Sequence, residues 1–404
     1  MTVEIRPCVL RGTVCAPPSK SIAHRMLLCA ALAEGTSVLH GISDSEDIRA
    51  SLSCARSLGA EITQNGDTAV IRCGKSCGTA PVFPCGESGS TLRFFLPAAL
   101  TRYSRAVFSG SQRLMERGIS VYETALGEKG ICFIKGADSV TAEGKLLPGT
   151  YTLRGDVSSQ FISGLFFALP LLNGDSTLCV TPPVESRPYL DLTLDILLKF
   201  GIRVTETEQN RFLIPGNQRY HATEGAVEGD WSNAAALYAF RFCGADITVT
   251  GLREDSVQGD RVCTALFQRL REVSPVLDLS GCPDLGPVLF AAAALCRGAH
   301  YTGIRRLRLK ESDRVSAMAE ELAKFGITMK VGENEADVFP GTLHKPTEPL
   351  NGHNDHRIVM ALAVLASAVG GEITGAEAVR KSYPGYFDAL RSLGADIREI
   401  KEKK

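Results

Sequence analysis

Residues 19–34 read SKSIAHRMLLCAALAE, and the form of this stretch decides the fold. A polar start carrying a lysine leads into an alanine- and leucine-rich run with no polar stripe. Five more stretches share the form: 89–100 (GSTLRFFLPAAL), 158–172 (SSQFISGLFFALPLL), 232–243 (SNAAALYAFRFC), 284–296 (DLGPVLFAAAALC) and 355–368 (DHRIVMALAVLASA). Their starts recur at roughly 53 to 74 residues, the signature of a repeated supersecondary unit. A helix that is apolar all round belongs in a core.

A second, amphipathic pattern sits inside most repeats, at 47–58, 191–200, 314–325 and 386–393, and is expected on the outside. Several of these end in a glycine followed by a short strand: SLGAEI, KFGIRV, KFGITM and SLGADI. Glycine suits the left-handed position that closes a helix. Short strands are read at 69–72, 246–249 and 336–339. Each repeat is then two helices with three or four strands, an α/β (α+β) class. The stretch TEGAVE (223–228) is poor in apolar residues and reads as a linker. The expectation is two domains of three repeats, 14–225 and 1–13 with 226–404, and an active site in the cleft between them. The first dozen residues are expected to pair with the far domain.

Composition narrows the function. The 404 residues are 44% hydrophobic and 22% charged, close to an ordinary globular protein. Lys and Arg number 44 against 45 Asp and Glu, so a general polyanion binder is disfavoured and no nucleic acid is expected. The start, MTVEIRPCVLRG, is charged at Glu4 and Arg6 and has no apolar core, so no signal peptide is expected. The longest apolar stretch, 287–296, is too short for a membrane span. Thirteen scattered cysteines, with no CxxC pair and no partner pair near Cys73 and Cys77, read as reduced thiols of a cytoplasmic protein.

The chemistry collects where the buried helices begin. There stand Lys20, Ser21 and Arg25; Glu87, Ser88, Gly89, Ser90, Thr91 and Arg93; Ser158, Ser159 and Gln160; Asp284; and Asp355, His356 and Arg357. Helix N-termini offer unpaired N–H groups and a partial positive charge, so they favour anions. Ser and Thr there also serve as caps. Lysine and arginine in a first turn oppose the dipole and need another reason, which a bound anion supplies. A second cluster, GIRRLRLKESDR (303–314), would place Arg306, Arg308 and Lys310 on one strand face by alternation. Arg113 and Arg117 are spaced to share a helix face, and Lys381 precedes the last helix.

Other patterns are discounted. There is no GxxxxGK[ST] and no GxGxxG after a strand. His353 and His356, in HNDH, have no further ligand cluster, so no metal is expected. GESGS (86–90) loosely fits GxSxG around Ser88, but it follows Cys85 rather than a clear strand.

Eight blocks carry a resemblance: PPSKSIAHRMLLCAALAEGTS (17–37), GESGSTLR (86–93), RLMER (113–117), DVSSQFISGL (156–165), ESRPYLDLTL (185–194), LRLKESDR (307–314), NDHRIVMA (354–361) and KSYPGYF (381–387). In this order, over nearly the whole chain, they resemble the 5-enolpyruvylshikimate-3-phosphate synthases. The resemblance implies an inside-out α/β barrel in two domains, each of three βαβαββ repeats with buried helices. It implies transfer of the enolpyruvyl group of phosphoenolpyruvate to the 5-hydroxyl of shikimate 3-phosphate, without metal or organic cofactor. Nothing in the sequence demands an oligomer, so a monomer is expected.

By the same resemblance Lys20, Asp284 and Glu311 are catalytic, with Asp284 the candidate base and Glu311, helped by Lys20, handling the C3 proton. A carboxylic acid in that role needs burial to raise its pKa. Shikimate 3-phosphate falls to Lys20, Ser21, Arg25, Ser158, Ser159, Gln160, Ser186, Asp284 and Lys310. Phosphoenolpyruvate falls to Lys20, Gly89, Arg117, Gln160, Arg314, Arg357 and Lys381. Gly89 and Ser90 leave room for glyphosate, so inhibition is expected. Three positions depart from the common pattern: Glu87 for asparagine, Gly118 for proline and Arg306 for asparagine. The last puts one shikimate 3-phosphate contact in doubt. The alternatives are a UDP-N-acetylglucosamine enolpyruvyl transferase, whose cysteine-bearing loop is not found, and a non-catalytic anion binder. A repeat-built RNA-end-processing enzyme is disfavoured by the balanced charge.

Overall fold

The computed structural model describes residues 1–74 and 80–400, so Cys77 lies outside the described residues. The chain forms two compact units, Lys20–Glu228 and Met1–Ser19 with Gly229–Lys404.

In the first unit the helices are α1 (Lys20–Leu32), α2 (Glu46–Ser57), α3 (Gly89–Ala99), α4 (Gln112–Arg117), α5 (Ser120–Gly127), α6 (Ser159–Ala168) and α7 (Arg187–Lys199). α1, α3 and α6 are the apolar stretches of the sequence, and they are buried almost without a break. Leu27 and Leu28 of α1 are wholly buried, each contributing about 1.5–3 kcal/mol relative to exposure. α2 buries one face, Ile48, Leu52 and Ala55. The strands form three four-stranded sheets; some strands alternate buried and exposed residues, as Val82–Gly86 does, while the edge strand Thr205–Glu208 is exposed throughout. In each sheet a parallel pair is extended by an antiparallel hairpin. Val82–Gly86 runs parallel to Arg105–Gly110, which pairs antiparallel with Ser139–Glu143, itself paired to Cys132–Lys135.

The presumed linker is a strand. Glu224–Ala226 pairs in parallel with Thr36–His40 and completes the sheet of the first repeat. None of its three residues, Glu224, Gly225 and Ala226, is buried, because pairing, not burial, is their task.

The second unit holds α8 (Trp231–Phe242), α9 (Cys263–Arg269), α10 (Gly286–Ala294), α11 (Arg314–Lys324), α12 (His356–Val369) and α13 (Tyr386–Ser392). α8, α10 and α12 form its core, and α11 buries one face. Thr2–Ile5 lies between Gly371–Thr374 and Ile397–Ile400, and Arg11–Cys15 runs parallel to Asp246–Thr250. The chain leaves this unit after Ser19 and returns at Gly229. Pro18 and Gly229 form an antiparallel bridge, and the Asp230 N–H donates to the Pro17 carbonyl at 2.8 Å. The Gln258 side chain accepts from the Ser19 hydroxyl (3.0 Å) and donates to the Gly229 carbonyl (2.8 Å).

The arginine-rich segment is not a strand. Arg305–Leu309 is a 3-10 helix, so Arg306, Arg308 and Lys310 do not share a pleated face. Arg306 is buried, and Arg308 turns to Asp313 and the Gly332 carbonyl. Among the described residues no helix is long and apolar enough to cross a membrane, and no cysteine is in a disulfide.

Candidate functional site

In the unit Lys20–Glu228 the polar helix starts make one cluster around α3. Ser88 caps α3, its oxygen accepting from the Thr91 N–H and hydroxyl. The GESGS segment does follow a strand, contrary to expectation, but Ser88 is buried and spent on the cap, not poised as a nucleophile. A Cβ on Gly89 would stand 2.8 Å from Arg93 Nη1, 3.0 Å from Arg117 Nη2 and 3.2 Å from Gln160 Oε1. The helix start, two guanidinium groups and an amide therefore converge on a point where only hydrogen fits. Arg93 donates to Gln160 Oε1 at 2.5 Å and to the Gly118 carbonyl at 3.2 Å, and it stacks on Phe161. Gln160 in turn donates to the Ser90 hydroxyl at 2.9 Å.

Lys20, at the start of α1, pairs with Asp47 of α2 at 2.8 Å. Arg25 is buried, and donates to Thr193 Oγ1 and to the carbonyls of Ser21 and Tyr189. Burial lowers its pKa to about 10, so it stays cationic at neutral pH. Ser158 caps α6, and Ser159 and Gln160 follow in its first turn. Ser186, buried and in a left-handed conformation, precedes α7. Sequence reading missed Asp47 and gave Arg93 no role; Arg93 was legible as a first-turn cation, Asp47 was not.

In the other unit Arg314 is the centre. It is 1% exposed, and its guanidinium meets three carboxylates: Asp284 (2.8 Å), Glu311 (2.8 Å) and Asp355 (2.8 Å). The planar guanidinium keeps its charge and offers five N–H donors, so it can serve three acceptors at once. Asp355 also caps α12, and the Ser312 hydroxyl donates to it. Asp284, on a 3-10 turn before α10, accepts from Lys310 Nζ at 3.0 Å as well. Burial pushes the Asp284 carboxyl up, but Lys310, Arg314 and Arg357 together hold it well below the usual carboxylate range. Burial lowers Lys310, with Asp284 opposing. Arg357 donates to the Ser232 carbonyl (2.7 Å) and to Asn233 Oδ1 (3.1 Å), and Lys381 donates to the Asn354 carbonyl (2.6 Å).

Three buried carboxylates of this unit were not singled out in the sequence, and the first, Asp230, caps α8 by accepting from the Asn233 N–H. Asp260 accepts from the Ser232 hydroxyl; burial, then the charge of Asp284, pushes it up to about 6. Glu321, on α11, accepts from Lys324 and faces His353 Nε2 at 3.0 Å. With Glu320 and His353 it offers donor atoms within 4.8 Å of one another.

The comparisons bear on what these clusters serve. The sequence pattern of the family described as EPSP synthase (3-phosphoshikimate 1-carboxyvinyltransferase) matches residues 6–390. The chain belongs to the EPSP synthase family. It is 39% identical to the 3-phosphoshikimate 1-carboxyvinyltransferase of Clostridium kluyveri, covering 98% of each chain. It is 38% identical to that of Clostridium acetobutylicum, again over 98% of each. Among solved structures, the EPSP synthase of Acinetobacter baumannii superposes with a TM-score of 0.79 at 22% identity, covering 98% of this chain and 100% of that one. The enolpyruvyl transferase NikO of Streptomyces tendae gives 0.77 at 18%, covering 98% of each. These two likenesses show the EPSP synthase-like fold, which the resemblance of the sequence blocks implied.

Proposed function

We propose that this member of the family transfers the enolpyruvyl group of phosphoenolpyruvate to the 5-hydroxyl of shikimate 3-phosphate and releases inorganic phosphate. The single observation that carries the chemistry is Asp284 held between Lys310 and Arg314, with Glu311 on the same guanidinium. An acceptor for the hydroxyl proton and a carboxyl for C3 thus share one cationic frame.

In the first step the 5-hydroxyl oxygen bonds to C2 of phosphoenolpyruvate. Asp284 takes the hydroxyl proton and C3 gains a proton from Glu311, helped by Lys20. In the second step C3 returns a proton to Glu311, the C–O bond to phosphate breaks, the departing phosphate takes the proton held by Asp284, and the enol ether is left. No redox partner or cofactor enters this balance. Asp284 is a poor base while two cations grip it. Substrate phosphate and carboxylate draw on those cations, and the carboxylate then gains proton affinity. Ser21, Arg25, Ser158, Ser159, Gln160, Ser186 and Lys310 are assigned to shikimate 3-phosphate. Gly89, Arg117, Gln160, Arg314, Arg357 and Lys381 are assigned to phosphoenolpyruvate, with Lys20 serving both. Residues of both units are thus given to one reaction. We take the enzyme to act as a cytoplasmic monomer and glyphosate to compete with phosphoenolpyruvate.

Phosphate release tests the reading. Release that requires both substrates, and competitive inhibition by glyphosate, are expected. Release with UDP-N-acetylglucosamine in place of shikimate 3-phosphate would move the chain to the other transferase. Binding without release would make it a silent anion binder.

A further inference from the structure

Glu321 is a wholly buried carboxylate that the proposed chemistry leaves unused. Its Oε1 accepts from Lys324 Nζ at 2.9 Å and lies 3.0 Å from His353 Nε2; its Oε2 accepts from the Asn351 N–H at 3.0 Å. Burial raises its pKa, but the bonds from His353, Lys324 and Asn351 outweigh this and hold it below the ordinary value.

The loop it grips is unusual. His353 and Asn354 are consecutive residues with φ of 48° and 50°, a left-handed conformation that side chains with a Cβ resist. The loop is braced by Asn351 Oδ1 accepting from the His353 N–H (2.8 Å) and by the Gly352 N–H donating to the Thr374 carbonyl (2.8 Å). It ends in the groups that set the cations: the Asn354 carbonyl accepts from Lys381 Nζ, and the next residue, Asp355, caps α12 ahead of Arg357 and binds Arg314. A strained turn at a functional position persists only where its surroundings hold it.

We propose that Glu321, acting through His353, is a positioning residue that holds residues 351–355 in the conformation that aims Lys381 and Arg314 at phosphoenolpyruvate. This rests on the function proposed above. Glu321 touches no substrate in this reading. It fixes the backbone that fixes the cations.

The test uses the full chain and three variants. His353→Gly removes the imidazole contact yet suits the positive φ, so the protein should melt no lower than the parent. Glu321→Leu removes the grip altogether. Glu321→Gln keeps an oxygen for the Asn351 N–H and an amide that can donate to an unprotonated His353 Nε2, but it offers Lys324 no acceptor there. The expected result is a rise of about tenfold in KM for phosphoenolpyruvate in His353→Gly and Glu321→Leu, the effect of weakening one charge-assisted contact. KM for shikimate 3-phosphate should stay within about twofold, and Glu321→Gln should recover part of the loss seen in Glu321→Leu, since it keeps the acceptor for the Asn351 N–H. An active parent whose His353→Gly variant keeps its KM for phosphoenolpyruvate, or raises both KM values alike, overturns the positioning role alone. A parent that releases no phosphate with both substrates overturns the function on which it rests.

Discussion

Replacing Gly89 with alanine probes the phosphoenolpyruvate assignment with one carbon atom. The new Cβ would meet Arg93 Nη1 at 2.8 Å, closer than such contacts occur, and Arg117 Nη2 at 3.0 Å. Arg93 cannot swing away. It is buried, tied to Gln160 and the Gly118 carbonyl, and stacked on Phe161. Arg117, half-buried at the end of α4, is the group that yields. A hydrogen bond to a charged group contributes about 1.5–3 kcal/mol. At about 1.4 kcal/mol per tenfold, its loss corresponds to a rise in KM for phosphoenolpyruvate of roughly 10- to 100-fold. KM for shikimate 3-phosphate should rise less: Gln160, which serves both substrates, lies 3.2 Å from the added methyl, but Arg117, the group displaced, is assigned to phosphoenolpyruvate alone. Glyphosate should weaken at least as much as phosphoenolpyruvate. The assay is initial-rate phosphate release, varying one substrate at saturation of the other. An unchanged KM for phosphoenolpyruvate, or equal rises for both substrates, would refute the convergence on Gly89 as the basis of recognition.

Two further outcomes concern the other unit. Asp260, pushed up to about 6, holds a proton in the folded protein that the unfolded chain has released by about pH 4. Its contribution to stability is therefore full below about pH 4 and lost as pH rises through about 6. The stability of the parent relative to Asp260→Asn should fall over that window in urea unfolding, and a pH-independent difference would remove the raised pKa. Arg314→Leu takes the shared guanidinium away from Asp284, Glu311 and Asp355, leaving Asp284 its contact with Lys310, and breaking such a buried pair costs about 3–5 kcal/mol. The deficit should shrink in acid as the carboxylates protonate. A loss under about 1 kcal/mol at neutral pH would show that the carboxylates do not depend on Arg314.

The helices were legible because each carries its own signal. The core runs 20–32, 89–99 and 356–369 are apolar on every side, and no other environment suits them. The polar starts were legible too, because a lysine or arginine in a first turn contradicts the dipole. What escaped was pairing at a distance. Nothing near Lys20 announces Asp47, and nothing near His353 announces Glu321 one helix earlier. TEGAVE looked like a linker because a strand held mainly by backbone hydrogen bonds needs no apolar residues. RRLRLK looked like a strand because alternation of charge mimics a pleat, while its backbone turns to bring Lys310 to Asp284. Asp260 and Gln258 lie in a polar stretch without a motif, and only burial reveals them.

The bridge between Pro18 and Gly229 bears on how this chain can be cut and joined. Residues paired across an antiparallel bridge have Cα atoms about 4.5–5.5 Å apart, a gap that a two-residue turn closes. The residues Lys20–Glu228 are therefore a cassette spliced into a body whose two cut ends already lie hydrogen-bonded to each other. Excision followed by a short glycine-containing join leaves the sheet partners of Thr2–Ile5 and Arg11–Cys15 untouched, since all of them belong to the body that remains. In the order of the chain, residues 20–228 interrupt a body that the first nineteen residues share with residues 229–404.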